Sequence, residues 1–340
     1  NTSTNAITGA GFQPDFTWLK SRDSAVNYGL QNAVGGSDKT NYSDSNSIQD
    51  TYTNGVTSFD ADGFTLGDQA TIFNKSGDDY ASWNWKAGTT TGLTGGTITP
   101  SAYSINTTSG FGIYQYVGGS STDTIAHGLG AVPKVVLIKS LTTTNDWTMY
   151  HAGGVASAAI GNGYIMVLNG TGARSADATT WDSTTPTSTL WYMGDSGDVN
   201  NSARTYVAYV WAEKKGYSQF GTYPGNSSAN GPFTYCGFRP SFILIKKYYG
   251  TTGGSGGGDQ WQMFDNKRIG YNESGNYVLT PSNNAAEQST GAGGGDIWFL
   301  SNGFKVGNAG ELNEDDNEYL YMAFAESPIV SSNDVPGVAR

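Results

Sequence analysis

Cys236 is the only cysteine in 340 residues, so no disulfide can form within the chain. A disulfide-stapled scaffold is thereby excluded, while the compartment stays open, because particles assembled inside a cell before release also lack disulfides. Charged side chains are scarce at 14%, with a net charge of −11 and a sequence pI near 4.5. The nearest approaches to a basic run are Lys214–Lys215 and Lys246–Lys247. A polyanion is bound by a cationic stripe that displaces counterions, so nucleic acid is not an expected partner. The acidic balance argues for solubility in salty surroundings. No run of about 18 apolar residues and no charged-then-apolar leader is present, so membrane insertion is not expected. The chain opens on Asn1 rather than Met, which reads as a processed or trimmed piece of something longer.

The side chains of common catalytic machinery are equally sparse. Histidine, the usual acid–base group near neutral pH, occurs only as His127, in a glycine-rich turn, and His151, after the strand-like WTMY. Both are read as turn or surface histidines. No G-x-S-x-G elbow occurs, and Ser196 in GDSGD is a turn serine. No G-x-x-x-x-G-K-[ST] phosphate cradle is present. Cys236, between Tyr235 and Gly237, is read as a buried small hydrophobe rather than a reactive thiol. An enzyme is therefore not expected.

What the chain has in abundance is glycine (48, about twice the usual share) and aromatic residues: Tyr 21, Phe 14, Trp 9. So many aromatics bury enough surface to offset chain entropy, which disfavours disorder. No 12-residue stretch carries a capped i, i+3, i+4, i+7 stripe, so helix is nearly absent from the reading. The fold class expected is all-β: antiparallel β-sandwich (jelly-roll-like) units with long loops rich in Gly, Ser, Thr and Asn.

The chain repeats itself. Pro14, Pro133 and Pro240 stand 119 and 107 residues apart, and each is followed six residues on by Lys20, Lys139 or Lys246, across DFTWL, KVVLI and SFILI. Downstream come YASWNWKAG (80–88), YVAYVWAEKKG (206–216) and YLYMAFAESP (319–328). Between them lie DGFTLGD (62–68), LWYMGDSGD (190–198) and NGFKVGN (302–308). GFGIYQYVGGS (110–120) and YSQFGTYPGNS (217–227) precede the second and third copies only. This period suits a small sandwich domain rather than a solenoid repeat. Three tandem sandwich repeats are expected, at about 1–90, 91–216 and 217–328, with a tail at 329–340; the first copy lacks its opening hairpin, which would lie upstream. The opening strand is apolar on both faces and reads as doubly covered. The closing strand alternates, with Val207, Tyr209 and Trp211 on one side and small or polar residues on the other, and reads as half-buried. The loops TTGGSGGGD (251–259) and TGAGGGD (290–296) read as a shared rim.

Four kinds of candidate site remain. The acidic stretch NEDDNE (313–318) makes Asp315, Asp316 and Glu318 weak Ca²⁺ candidates, the solvated acidic turn being the plainer reading; DADG (60–63) lacks the later ligands of a calcium loop. No other cofactor is expected. Were the opening and closing strands neighbours, Lys139–Glu213 and Lys246–Glu326 would form equivalent structural ion pairs. Loop aromatics Tyr248, Tyr249, Tyr271 and Trp181 are candidates for stacking on sugar rings, with loop packing or a subunit contact as the competing reading. No pair of carboxylates is fixed at the spacing a glycosidase uses.

The combination GFQPDFTWLKSR, DGFTLG, YASWNWKAG, HGLGAVPKVVLIK, GYSQFGTYPGN, CGFRPSFILIKK and FLSNGFKVGN…YMAFAESP resembles, over residues 8–340, a family of phage structural proteins. These occur in phages of marine and other aquatic bacteria and are described as tail-fibre, tail-associated or uncharacterised virion proteins. The resemblance implies a virion protein assembled in the host cytoplasm, a tail fibre or spike component that displays loops to a bacterial surface polysaccharide or protein receptor. It implies other virion proteins as partners and a homotrimer, as is usual for such fibres. It carries over no catalytic residue. A capsid-decorating or head-associated protein is the alternative, and a polysaccharide depolymerase a third reading.

Overall fold

The computed structural model describes residues 3–154, 160–250, 260–271, 277–289, 296–307 and 310–327. The loop residues 251–259 and 290–295, where a shared rim is expected, and the tail 329–340 lie outside the described residues. The chain is nearly all β, built of antiparallel sheets packed as sandwiches.

The first segment runs β1 (Asn5–Thr8), β2 (Phe16–Ser21), β3 (Gly29–Asn32), β4 (Gly36–Tyr42), β5 (Asp50–Thr51), β6 (Val56–Asp60), β7 (Gly63–Leu66) and β8 (Tyr80–Trp85). They form an inner sheet in the order β5-β4-β3-β2-β8 and an outer sheet β1-β7-β6. DGFTLGD becomes the outer strand β7 for a local reason. Gly63 has φ +149, and a Cβ there would meet the Ile7 carbonyl oxygen at 2.0 Å, so only glycine lets β1 approach.

The second segment runs β9 (Ala102–Asn106), β10 (Phe111–Val117), β11 (Asp123–Ala126), β12 (Pro133–Ser140), β13 (Thr148–His151), β14 (Tyr164–Val167), β15 (Ser175–Ala176), β16 (Leu190–Met193) and β17 (Thr205–Ala212). Its inner sheet is β15-β14-β13-β12-β17-β10-β9, and β11 pairs with β16 outside it.

The third segment runs β18 (Ser218–Pro224), β19 (Phe233–Tyr235), β20 (Pro240–Gly250), β21 (Gln262–Asp265), the one-turn α1 (Asn266–Ile269), β22 (Tyr277–Val278), β23 (Gln288–Ser289), β24 (Ile297–Leu300), β25 (Gly303–Val306) and β26 (Asn317–Ala325). Its inner sheet is β18-β26-β20-β21 and its outer sheet β19-β25-β24, with a small β22-β23 pair.

Each proline phrase is an inner strand lying beside its closing strand, in matching register. Phe16 faces Trp85, Val135 faces Trp211 and Phe242 faces Phe324. The closing strands β17 and β26 are buried on both faces, which corrects the half-buried reading there, whereas β8 alternates buried Ala81, Trp83 and Trp85 with partly exposed Tyr80, Ser82 and Asn84, as that reading expects. In β17 Tyr209 and Trp211 face inward, while Ala208 and Val210 pack outward beneath the outer strands, because the sheet is covered on both sides there.

The inward faces of all three segments meet in one core, containing Phe16, Trp18 and Trp85 with Phe111, Leu137 and Trp211 and with Phe242, Leu244 and Phe324. Three outer cores lie between the inner and outer sheets: Leu19 with Phe64 and Leu66, Tyr114 with Trp191, and Ile243 with Phe304. The segments are also joined head to tail. Asn32 Nδ2 donates to the Tyr209 hydroxyl at 2.9 Å, His151 Nε2 bonds the Tyr321 carbonyl at 3.3 Å, and Trp83 Nε1 donates to Asp265 Oδ2 at 3.2 Å. These three side chains come from the same place in each sheet, since Asn32, His151 and Asp265 pair with Phe16, Val135 and Phe242. The links therefore run first to second, second to third, and third back to first.

Candidate functional site

The two histidines and the cysteine are buried and bonded to the main chain. His127 and His151 are fully buried, which corrects their reading as turn or surface residues. In each, Nδ1 accepts a backbone N–H, from Leu129 at 3.1 Å and from Gly153 at 3.0 Å. Nε2 therefore carries the proton, facing the carbonyls of Thr187 and Tyr321. Burial lowers both pKa values, that of His151 to about 4, so both rings are neutral at pH 7. Cys236 is buried and its thiol is pushed far up by desolvation, first, and by Glu213. It is an inert hydrophobe here.

The expected ion pairs do not form. Lys139 stands opposite Val207, whereas Glu213 lies beyond Ala212, the partner of Pro133. Six residues of strand separate the two, about 20 Å at 3.4 Å per residue. Lys246 likewise stands opposite Leu320, far from Glu326 beyond Ala325. The strands are neighbours, but antiparallel direction puts each lysine and its glutamate at opposite ends. Lys20, Lys139 and Lys246 instead end fully buried, donating to the carbonyls of Ser24, Ser140 and Thr171. Desolvation lowers the Lys20 and Lys139 ammonium groups to about 8, with neighbouring carboxylates acting against it. Glu213 accepts the Phe220 N–H at 3.3 Å, and Glu326 accepts the Tyr271 hydroxyl at 2.6 Å and pairs with Lys267 at 3.6 Å.

Two of the four aromatic candidates are also corrected. Trp181 and Tyr248 are buried, Trp181 in the second outer core and Tyr248 in the common core. Strand alternation takes Tyr248 inward and Tyr249 outward. Tyr249 is 37% exposed with Arg174 over its ring, and Tyr271 is 39% exposed with Arg239 over its ring. More exposed than either are Phe233 (47%) and Tyr235 (61%), on the edge strand β19. They were missed, although FTYC carries the signal: Thr234 and Cys236 are buried and the two aromatics between alternate outward.

The acidic candidates are not drawn together. Asp315 is exposed, and Asp316 is exposed at φ +59, a left-handed turn position that Asp tolerates. Burial raises the Glu318 carboxyl. Among the described residues no three His, Cys, Asp or Glu side chains converge as a ligand set. Glu314 accepts from Lys247 Nζ at 3.1 Å and Asn317 at 2.9 Å, and buried Asn313 holds the backbone of Asn226 and Ser228, so this stretch is a stapled turn. In DADG, Asp62 accepts the N–H groups of Gly9 and Gly11, and Asp60 accepts the Ser58 and Thr65 hydroxyls.

A broad concavity follows β8. Two joined grooves of about 430 and 520 Å³ lie between the outer edge of β8 and the start of β20, sharing Ser82, Trp83, Ser241, Phe242, Lys267 and Glu326. A buried charge network closes one end, where Glu287 pairs with Arg22 at 2.7 Å and with Arg268, itself 2.5 Å from Asp265.

An all-β, antiparallel sandwich protein with buried, main-chain-bonded histidines and an open strand edge is the class these features define. The chain belongs to the family described as Domain of unknown function (DUF7483), which it matches over residues 1–328, across all three segments without a break. No curated protein and no solved structure matches it.

Proposed function

We propose that the chain is a non-enzymatic structural protein of a phage particle, a tail fibre or spike component that presents aromatic side chains to a glycan receptor on the host surface. The observation that carries this reading is the pair Phe233 and Tyr235. Both are large exposed aromatic side chains on the edge strand β19, two residues apart and so on the same face, with buried Thr234 between them opposite Phe304. Such rings suit stacking on the apolar face of a sugar, with Tyr235 adding a hydroxyl for a polar contact. A homotrimer, within this reading, uses surfaces other than the inward-facing closing-strand aromatics Trp85, Tyr209, Trp211 and Phe324, which are already buried inside one chain.

The test is binding of the purified chain to surface polysaccharide of susceptible bacteria, compared with Phe233→Ala/Tyr235→Ala. Both side chains are exposed, so the fold should survive and binding should fall at least tenfold. Equal binding by the variant, or none by the parent chain, refutes the glycan role. Immunogold labelling of intact particles tests the location: label on the tail supports the proposal, and label over the head refutes it in favour of a capsid-decorating protein.

A further inference from the structure

In the second and third segments the closing strand has a neighbour on each side: β17 lies between β12 and β10, and β26 between β20 and β18. In the first segment β8 has β2 on one side and, among the described residues, no strand on the other. The direction of its free backbone groups follows from its bonds. The carbonyls of Asp79 and Trp85 accept from Arg22 and Asp15 beside β2, so antiparallel alternation turns Tyr80, Ser82 and Asn84 outward. Their N–H and C=O groups have no partner among the described residues. A bare edge of this kind is usually blunted by proline, lysine or a bulge. YASWNW contains none of these.

The side chains repeat the omission. Tyr116 of β10 stacks on Tyr206 of β17 at 5.3 Å between centroids and 19°, and Tyr223 of β18 stacks on Tyr319 of β26 at 5.1 Å and 10°. Tyr80 holds the same place on β8, opposite Ser21 as Tyr206 is opposite Ser140, and makes no ring pair among the described residues. Three residues before each stacking tyrosine stands an apolar residue, Ile113 or Phe220, directly across from Tyr209 or Met322 and facing the common core. The corresponding residue of β8 is Trp83, on the floor of the groove.

We propose that β8 is a strand-acceptor site, which takes one extended segment of a partner polypeptide from outside residues 1–340. The segment carries an apolar-x-x-Tyr run, the apolar residue seated over Trp83 and the tyrosine stacked on Tyr80. Main-chain bonds to Tyr80, Ser82 and Asn84 supply affinity, and the two side chains set register. A second copy of β8 does not meet the requirement, because no tyrosine lies three residues after Trp83 or Trp85. The site is independent of the glycan-binding reading and stands or falls without it.

The probes are two peptides with this chain's own sequences at the equivalent strands, GFGIYQYVG (110–118) and YSQFGTYPG (217–225), added to the full chain. Saturable binding that slows hydrogen exchange at the Ser82 and Asn84 amides is expected. In β10 the residues whose backbone faces the closing strand are Gly112, Tyr114 and Tyr116, whereas Gln115 faces β9, its carbonyl oxygen accepting the Ser101 N–H. N-methylation of the first peptide at Tyr114 should therefore weaken binding at least tenfold, and N-methylation at Gln115 should not. This comparison uses unaltered protein, so misfolding cannot confuse it. No protection at saturating peptide, or equal effects of the two methyl groups, overturns the proposal. A concentration-dependent dimer that protects the same amides without peptide also overturns it, in favour of a second copy.

Discussion

Replacing Trp85 by alanine is the sharpest test of the common core. Trp85 is 5% exposed and lies 5.2 to 6.5 Å between ring centroids from Phe16, Phe111, Trp211, Phe242 and Phe324. Its neighbours thus come from all three segments. A buried Trp→Ala change costs about 3–5 kcal/mol in transfer and cavity energy, and each edge-to-face pair about 0.5–1.5 kcal/mol beyond burial. These contributions overlap, and close neighbours relax to fill part of the cavity, so a loss of about 5 kcal/mol is expected. That is a third or more of the stability of an ordinary domain. Because the lost contacts are shared, the whole chain should weaken together. Urea unfolding followed by tryptophan fluorescence and by far-ultraviolet circular dichroism would show one transition by both probes, moved to lower urea with its slope unchanged. A loss below about 2 kcal/mol would refute the reasoning. So would unfolding in separate phases of which Trp85→Ala shifts only one, since three self-sufficient sandwiches would behave in that way.

Two further perturbations test buried charge. Burial holds the Lys139 ammonium at about 8, below its unfolded value of 10.5. Its cost is therefore present in full below pH 8 and is relieved as pH rises from about 8 towards 10.5. The shift is at most about 3 kcal/mol, so Lys139→Met, which also gives up the bond to the Ser140 carbonyl, should gain about 1–2 kcal/mol at pH 7. It should also flatten the climb in stability of the parent chain between pH 8 and 9.5, below the range where tyrosines ionise in the unfolded chain; a destabilised variant, or a parent chain with no such climb, counts against it. Glu287 bridges Arg22 of the first segment and Arg268 of the third, and Arg268 is only 5% exposed at its side chain. Glu287→Gln should cost about 3 kcal/mol by leaving that guanidinium short of charge, read as a fall in urea midpoint, and a loss under 1 kcal/mol would show the bridge to be dispensable.

Much of the framework was legible in the sequence, because period-2 alternation and turn chemistry are local. The proline phrases, the glycine of DGFTLG and the aromatic closing strands all became strands in matching register. What sits on a face could not be read in the same way. The ion pairs failed because a residue count gives neighbouring strands but not which ends meet. Tyr248 and Trp181 failed because a polar, glycine-rich flank says nothing about whether a ring turns inward. Both histidines look like turn residues until a neighbouring strand covers them.

By itself, then, the sequence determined the all-β class and the recurring phrases that become paired strands, since these depend on propensity and spacing within a few residues. Only the tertiary structure decided that the three segments close on one aromatic core, link head to tail through Asn32, His151 and Asp265, and leave β8 without a second neighbouring strand among the described residues. Contacts between residues a hundred or more apart are set by how whole sheets pack, and no local pattern encodes them.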